Sequence, residues 1–308
     1  MAFLLLTAVV YMAFLLLLIL VRPNGHPLLP DTGDYYKEFG KNTWAGHREF
    51  DPRTAYDVVI IGSSHAYRGY DPHIFQEHGH RAFNLGSTAQ TPLNTYFLIR
   101  DLLDSSNAPL LILDAYEGMM ASSGLESISD LALNQAHIKP VLGMAWALRD
   151  IRAINVVAYG LVYQHLGTAS PAPDYKGLGF SSRTDSTATP APPPKGPASL
   201  SPQQRHYMAK IVELCREKGI RLVVASHYGR RNKRGTFHVP LATFVDSMLR
   251  GTDIPYLDYN SVAGIGDHDW FCDANHLNYT GARIFTEQLV DTLETLGYLP
   301  RKPISSRP

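Results

Sequence analysis

The first sign of chemistry in this chain is a serine set just past a short apolar run. Val58-Val59-Ile60-Ile61 is β-branched and uninterrupted, as suits a strand buried on both faces of a parallel sheet, and it stops at Gly62. The small polar turn Gly62-Ser63-Ser64-His65 then leaves the Ser64 hydroxyl at the carboxyl end of the strand, where open α/β sheets place their ligands. A serine hydroxyl is a weak nucleophile until a base accepts its proton and a carboxylate orients that base. Near the C-terminus the stretch Phe271 to Ala282, FCDANHLNYTGA, supplies both, with Asp273 three residues before His276. In a turn leading into a helix, that spacing brings a carboxylate against one ring nitrogen and leaves the other facing Ser64. His227, at the end of another strand-like run, is the competing base, and His276 is preferred for its Asp273 partner.

A GSSH turn after an early strand, combined with DxxH and a following Gly281, resembles the SGNH/GDSL hydrolase superfamily over roughly Tyr56 to Leu296. The resemblance implies Ser64 as nucleophile, His276 as general base and Asp273 as its orienting partner. It also implies an oxyanion hole built from the amide of Ser64 and that of Gly86, the glycine of the block Phe83 to Asn94, FNLGSTAQTPLN. Two features depart from the family pattern. Ser63 stands where the family often has Asp, as it does in some membrane-associated members that act on cell-envelope acyl esters. The Gly-x-Asn-Asp block, whose Asn gives a third hydrogen bond to the oxyanion, is missing after Pro109 to Leu113, where the chain runs into Asp114-Ala115-Tyr116-Glu117. Candidate substrate contacts are His65, Asn84, Tyr116, Glu117 and His227. The cations Arg230, Arg231, Lys233 and Arg234 read as a solvated loop or a seat for an anionic substrate or lipid headgroup. No cofactor or metal is implied, the nearest cation candidate being Asp267-His268-Asp269.

The elements that must position these residues alternate. Strand-like runs at Val58–Ile61, Arg81–Leu85, Pro109–Leu113, Ile220–Ala225 and Pro255–Leu257 are separated by helical patterns. Five strands in such βα alternation predict an α/β fold, a five-stranded parallel sheet flanked by helices in a flavodoxin-like three-layer sandwich, with right-handed crossovers. The helices include one capped by Asp71 and Pro72, one over Pro92–Ser105, one from Ser201-Pro202 to Lys218, one over Val239–Leu249 and one over Tyr279–Leu296. Residues 126–166 read as a helical insertion of one or two helices, a lid or a partner surface. Residues 167–202, rich in Pro, Ser, Thr and Ala, read as a mobile loop.

Met1 to Val21 is an almost unbroken apolar run without a charged side chain, long enough to cross a bilayer as a helix. The expected organisation is an anchor at 1–22, a juxtamembrane linker at 23–54 that packs onto the domain, and the catalytic domain at 55–300. Basic residues follow the run and none precede it, which by the positive-inside rule places the domain in the cytoplasm. Anchored proteins with SGNH-like domains commonly face outward, and on that resemblance the domain is expected on the extracytoplasmic (periplasmic) side. The 28 basic and 28 acidic residues balance, so net charge implies no nucleic-acid partner. Cys215 and Cys272 are too few for a disulfide framework. The chemistry expected is that of a serine esterase or O-acyltransferase acting on acyl esters, acetyl foremost, of a cell-envelope glycan or lipid. The alternative is a catalytically silent envelope protein that binds glycan or supports a membrane acyltransferase.

Overall fold

The five apolar runs form one parallel sheet in the computed structural model of the chain, which describes residues 2–21, 40–134, 136–163, 171–186, 195–230, 235–260 and 269–301. Chain order begins with α1 (Ala2–Leu20), α2 (Gly40–Glu49), β1 (Val58–Ile61), α3 (Ser64–Gly69), α4 (Pro72–Glu77) and β2 (Ala82–Asn84). It continues with α5 (Pro92–Leu102), β3 (Leu110–Asp114), α6 (Glu117–Ala121), α7 (Leu125–Asn134), α8 (Ile138–Leu148) and α9 (Ile151–Tyr163). A hairpin, β4 (Tyr175–Gly177) and β5 (Phe180–Ser181), precedes α10 (Pro202–Glu217) and β6 (Arg221–Ser226). Last come α11 (Val239–Leu249), β7 (Tyr256–Asp258) and α12 (Tyr279–Thr295).

The sheet order is β2-β1-β3-β6-β7, so the chain reverses its direction of travel across the sheet between β1 and β3. In this doubly wound arrangement the crevice for a ligand opens at the carboxyl ends of those two strands. Alternate residues serve opposite faces. Val59, Ile61, Leu111, Leu113, Leu222 and Val224 pack with α5 and α10 in one apolar cluster. Val58, Ile60, Leu110, Ile112, Val223 and Ala225 pack with Phe285, Leu289 and Leu293 of α12 in the other. Burial on both faces is why these strands read as continuous apolar runs.

Three parts differ from expectation. The segment 23–54 contains α2, whose sequence GKNTWAGHRE has no apolar period and whose stability comes from outside it. Thr43 donates to Asp130 at 2.5 Å, Arg48 donates to the Asn134 carbonyl, and Phe50, just beyond the helix, joins Tyr56 and Phe83 at ring distances of 5.5 and 5.3 Å. The insertion holds three helices, α7 to α9, because short turns near Ala136 and Arg149 break it twice. Residues 171–186, expected to be mobile, are packed: Phe180 is buried, and the Leu178 carbonyl accepts the Asn84 N–H at 2.9 Å, covering the edge of β2. Gly179 makes that approach feasible, with φ at 77° and an added Cβ placed 1.7 Å from the Asn84 oxygen. Residues 22–39, Ala191 to Pro194, Arg231, Lys233, Arg234, Asp267 and His268 lie outside the described residues.

The nineteen residues of α1 are long and apolar enough to cross a membrane, at a length of about 28 Å. Its buried side chains are Leu15 and Ile19, of which Ile19 packs against Leu133 and Tyr159 of the insertion, and the Tyr11 hydroxyl donates to Asn155 Oδ1 at 2.6 Å.

At the carboxyl edge of the sheet His238, leading into α11, lies between Glu117 at 2.5 Å and Asp258 at 3.1 Å. Burial opposes a charge on this imidazole, but hydrogen bonds from it to Asp258 and Glu117 outweigh burial and push its pKa up to about 9. A histidine raised in this way stabilises the fold fully below its unfolded value near 6.5, and that contribution is lost as pH rises through about 9. Urea unfolding should therefore give a stability lower by on the order of 2 kcal/mol at pH 10 than at pH 6. His238→Gln should flatten that dependence.

Candidate active site

Ser64 opens α3 directly behind β1, and the Ser63 hydroxyl caps the helix by accepting the His65 N–H at 3.3 Å. As the first helical residue Ser64 has an N–H without a partner inside the helix. Its Oγ lies 2.8 Å from Nε2 of His276, which arrives from a residue 212 positions later in the chain. Asp273 Oδ2 accepts from Nδ1 of His276 at 2.8 Å, so the neutral ring presents an unprotonated Nε2 to the serine. The other carboxylate oxygen of Asp273 accepts the backbone N–H groups of Asn275 and His276, each at 2.8 Å. One carboxylate thus shapes the DxxH turn and orients the ring that the turn carries.

The turn is anchored from outside. Phe271 and Leu277 form an antiparallel bridge, Cys272 N–H donates to the His276 carbonyl at 3.0 Å, and Asn278 Nδ2 donates to the Asp269 carbonyl at 2.7 Å. From the end of β6 the buried guanidinium of Arg230 donates to the Asp273 carbonyl at 2.7 and 3.1 Å. The sequence puts Arg230 in a basic stretch that reads as a solvated loop or an anion seat, and in the fold it holds the acid loop. Only the fold brings it there.

Burial pushes the Asp273 carboxyl up, yet the hydrogen bond and charge of His276, with the two backbone amides, hold it well below the usual carboxylate range. Burial lowers the His276 pKa below its ordinary value, against the raising effect of Asp273 and helped by the guanidinium of Arg68. At neutral pH the pair is an ionised carboxylate beside a neutral imidazole. That is the protonation state in which the imidazole can take a proton from Ser64.

Around the serine lies a cavity of about 510 Å³ whose lining includes Asn42, Arg68, Ala89, Tyr116, Arg183 and Asn275. His65 lines it too, its ring stacked at 4.5 Å on His227 and 4.6 Å on His276, with Tyr116 at 3.8 Å. The remaining expected contacts fall outside the lining. His227 is buried beneath His65, with its Nδ1 2.7 Å from Asp114 Oδ1, an oxygen that also accepts from the Tyr70 hydroxyl at 2.7 Å. Glu117 is turned away to His238. Asn84 donates to the carbonyls of Ala66 at 2.8 Å and Tyr70 at 3.0 Å, tying β2 to the far end of α3.

Gly86 requires correction as an oxyanion donor. Its N–H is given to Asn84 Oδ1 at 3.1 Å, and it is a glycine because an added Cβ would come within 3.1 Å of the Tyr67 nitrogen and 3.2 Å of Ala66 Cβ. Three residues later the same loop turns Ala89 into the cavity with φ at 50°, a left-handed conformation that costs a non-glycine residue about 1–2 kcal/mol. The Thr88 N–H donates to Asp130 Oδ2 at 3.0 Å, which ties this loop to α7, and among the described residues the Ala89 N–H has no acceptor. Nothing in the residue type of Ala89 marks it, since alanine carries no bias towards positive φ.

Among the described residues His78, Asp291 and Glu294 have ligand atoms within 4.8 Å of one another, close enough to share a cation. They lie by the start of β2, away from the carboxyl edge, and His78 there is bonded to Glu287 at 2.9 Å and Glu294 at 3.2 Å. Cys215 and Cys272 are both buried free thiols.

No family model matches the chain and no curated protein is significantly similar to it. Among solved structures, one similar chain is a "putative acylhydrolase" from Bacteroides fragilis NCTC 9343, at 13% identity and a TM-score of 0.42, covering 88% of this chain and 100% of that one. Another is a GDSL-like lipase from Bacteroides thetaiotaomicron VPI-5482, at 12% identity and a TM-score of 0.41, covering 78% of this chain and 88% of that one. At that distance, function must be argued from this chain's own residues.

Asn84→Ala removes one acceptor and two donors from a fully enclosed position. The variant should lose about 2–4 kcal/mol in urea unfolding, because the Ala66 and Tyr70 carbonyls and the Gly86 N–H are left without partners.

Proposed function

We propose that this protein is a serine ester hydrolase or O-acyltransferase that forms an acyl-enzyme on Ser64. The observation that carries the reading is the unbroken line from Asp273 through His276 to Ser64, with both hydrogen bonds at 2.8 Å, at the mouth of a cavity. Ser64 Oγ attacks the ester carbonyl while His276 Nε2 accepts its proton. The tetrahedral oxyanion collapses, the C–O bond to the alcohol breaks, and His276 returns the proton to the departing oxygen. Water, activated by the same imidazole, releases the acid. A hydroxyl of an acceptor in place of water completes a transfer. Asp273 stays ionised throughout and stabilises the imidazolium.

The donors available to the oxyanion are the amides of Ser64 and Ala89, each worth about 3 kcal/mol to the transition state when aligned. The left-handed turn at Ala89 supports that role, because strain of this kind clusters at sites that need a backbone group aimed at substrate. Polar groups at Asn42, Arg68, Arg183 and Asn275 suit an ester of a hydroxyl-rich alcohol more than a long acyl chain. Together with a membrane-spanning α1 this favours a cell-envelope glycan ester as substrate, acetylated foremost, with the catalytic domain on the extracytoplasmic side. The complete Ser-His-Asp line opposes a purely binding role, which has no physical need for an activated serine.

Full-length protein in detergent should be labelled by a fluorophosphonate probe, with labelling lost in Ser64→Ala and His276→Ala. A folded wild-type chain that neither labels nor releases p-nitrophenol from its acetate would refute an activated serine. The rate of acylation should fall as pH drops through the His276 pKa, and because burial depresses that value the acidic limb should lie below 6.5. Asp273→Asn should lower kcat by about 10³–10⁴-fold while leaving Ser64 in place.

A further inference from the structure

The helical insertion carries an apolar surface that the catalytic site does not use. On α8, Trp146 is 84% exposed and Leu142 50%, four residues apart and therefore on one face. On α9, Ile151, Ile154 and Leu161 are exposed at spacings that also share a face. An apolar surface of this kind on two adjoining helices calls for a partner.

The position of α1 indicates which partner. Asn155 meets Tyr11, and Tyr159 and Val162 pack with Ile19, so α1 and α9 run side by side in the same direction. At about 100° per residue, Asn155, Tyr159 and Val162 form one stripe of α9, and Ile151, Ile154 and Leu161 form the stripe next to it. The exposed face of α9 thus continues directly from its contact with the helix that is apolar enough to cross a membrane. Whatever solvent surrounds α1 also surrounds that face.

The neighbouring charge agrees. Trp146, Leu142 and Leu148 line an open groove of about 820 Å³ together with Arg100, Lys139 and Arg149. Arg100 and Lys139 share Asp101, at 2.6 and 3.2 Å, and Arg152 pairs with Asp150 at 2.6 Å. Four cations therefore face two carboxylates, leaving a surplus of positive charge beside an exposed tryptophan. Tryptophan and basic side chains bordering an apolar face are the composition that seats an element at the headgroup boundary of an anionic bilayer.

We infer that α8 and α9 form a lipid-docking surface, with their apolar faces in the boundary of an anionic membrane beside α1 and Arg100, Lys139 and Arg149 at its phosphates. This rests on the membrane reading of α1 and not on the esterase reading. Charges on the α8–α9 turn keep it out of the hydrocarbon centre. Over Tyr11–Ile19, which runs beside α9, α1 shares that boundary. The catalytic domain is consequently held against the lipid surface by two elements instead of swinging on one tether, which fixes the height of Ser64 above the bilayer.

The test uses full-length protein reconstituted into phosphatidylcholine/phosphatidylglycerol vesicles whose chains carry bromine at carbons 6 and 7. Trp146 is one of three tryptophans, so bromine should quench roughly a third of the emission. Trp146→Phe should abolish that quenching. Lys139→Glu with Arg149→Glu should reduce it at least twofold on anionic vesicles and leave it unchanged on pure phosphatidylcholine. Protein that floats with vesicles while Trp146 is quenched by aqueous iodide and not by bromine would overturn the inference and leave α1 as sole anchor. Trp146 shielded from both quenchers would overturn it in favour of a protein partner. Failure to float at all would overturn the membrane reading of α1 as well, without touching the fluorophosphonate result.

Discussion

The two oxygens of Asp273 form the constraint on which the rest of the site depends. One oxygen accepts two successive backbone amides and so sets the shape of the turn; the other holds the imidazole of His276. Neither function would survive if the loop drifted, and the loop is fixed by groups far away in sequence, above all the buried Arg230 on the Asp273 carbonyl. The site is therefore assembled by the sheet: β1 presents the serine, β6 presents the arginine, and the turn before α12 presents acid and base. Since the five strands of this sheet are all parallel, these loops converge on one edge.

The same pair of residue types, histidine with a carboxylate, recurs along that edge with different outcomes. At His276, with a single carboxylate beside it, burial wins and the ring is kept neutral. At His238 two carboxylates take both nitrogens, outweigh burial and favour the charged ring. His227 is paired with Asp114, which also accepts from Tyr70, and lies under the stacked ring of His65. The number of acidic partners and the access to solvent decide whether the imidazole can take a proton at the cavity or only braces the fold. Of the three, only the pair at His276 lines the cavity with the serine.

Elements outside the sheet set the limits of the site and its surroundings. The hairpin of β4 and β5 seals the edge of β2, and α7 reaches the loop of Thr88 and Ala89 through Asp130. Beyond them, α8 and α9 carry an apolar and basic surface next to α1. The chain from α1 through the insertion to the Thr88–Ala89 loop is continuous packing, so docking of the insertion and geometry at the serine share a set of contacts.

Much of this was legible in the residues themselves. Strands buried on both faces must be apolar throughout, so Val58–Ile61, the run before Asp114 and the run before Ser226 could be read as sheet, and the alternation with helices gave the class of fold. A DxxH turn carries its own short-range geometry, which is why Asp273 and His276 could be paired from spacing alone. Contacts between distant segments carry no such local signature. The helix α2 is held by Asp130 and Asn134 with no apolar period of its own, and Phe180 is buried by a turn whose composition reads as loop. The family resemblance implied Gly86 as an oxyanion donor, since it is the glycine after the second strand; its N–H is given to Asn84 instead, while the residue turned into the cavity is an alanine, which carries no such mark. Residue type and spacing fixed which groups could do the chemistry, because reactivity and local turns are properties of a few neighbouring residues. Which amides, arginines and helices support them was decided only in the folded chain, because those hydrogen bonds join positions more than forty residues apart, such as Arg230 to Asp273 and Thr88 to Asp130.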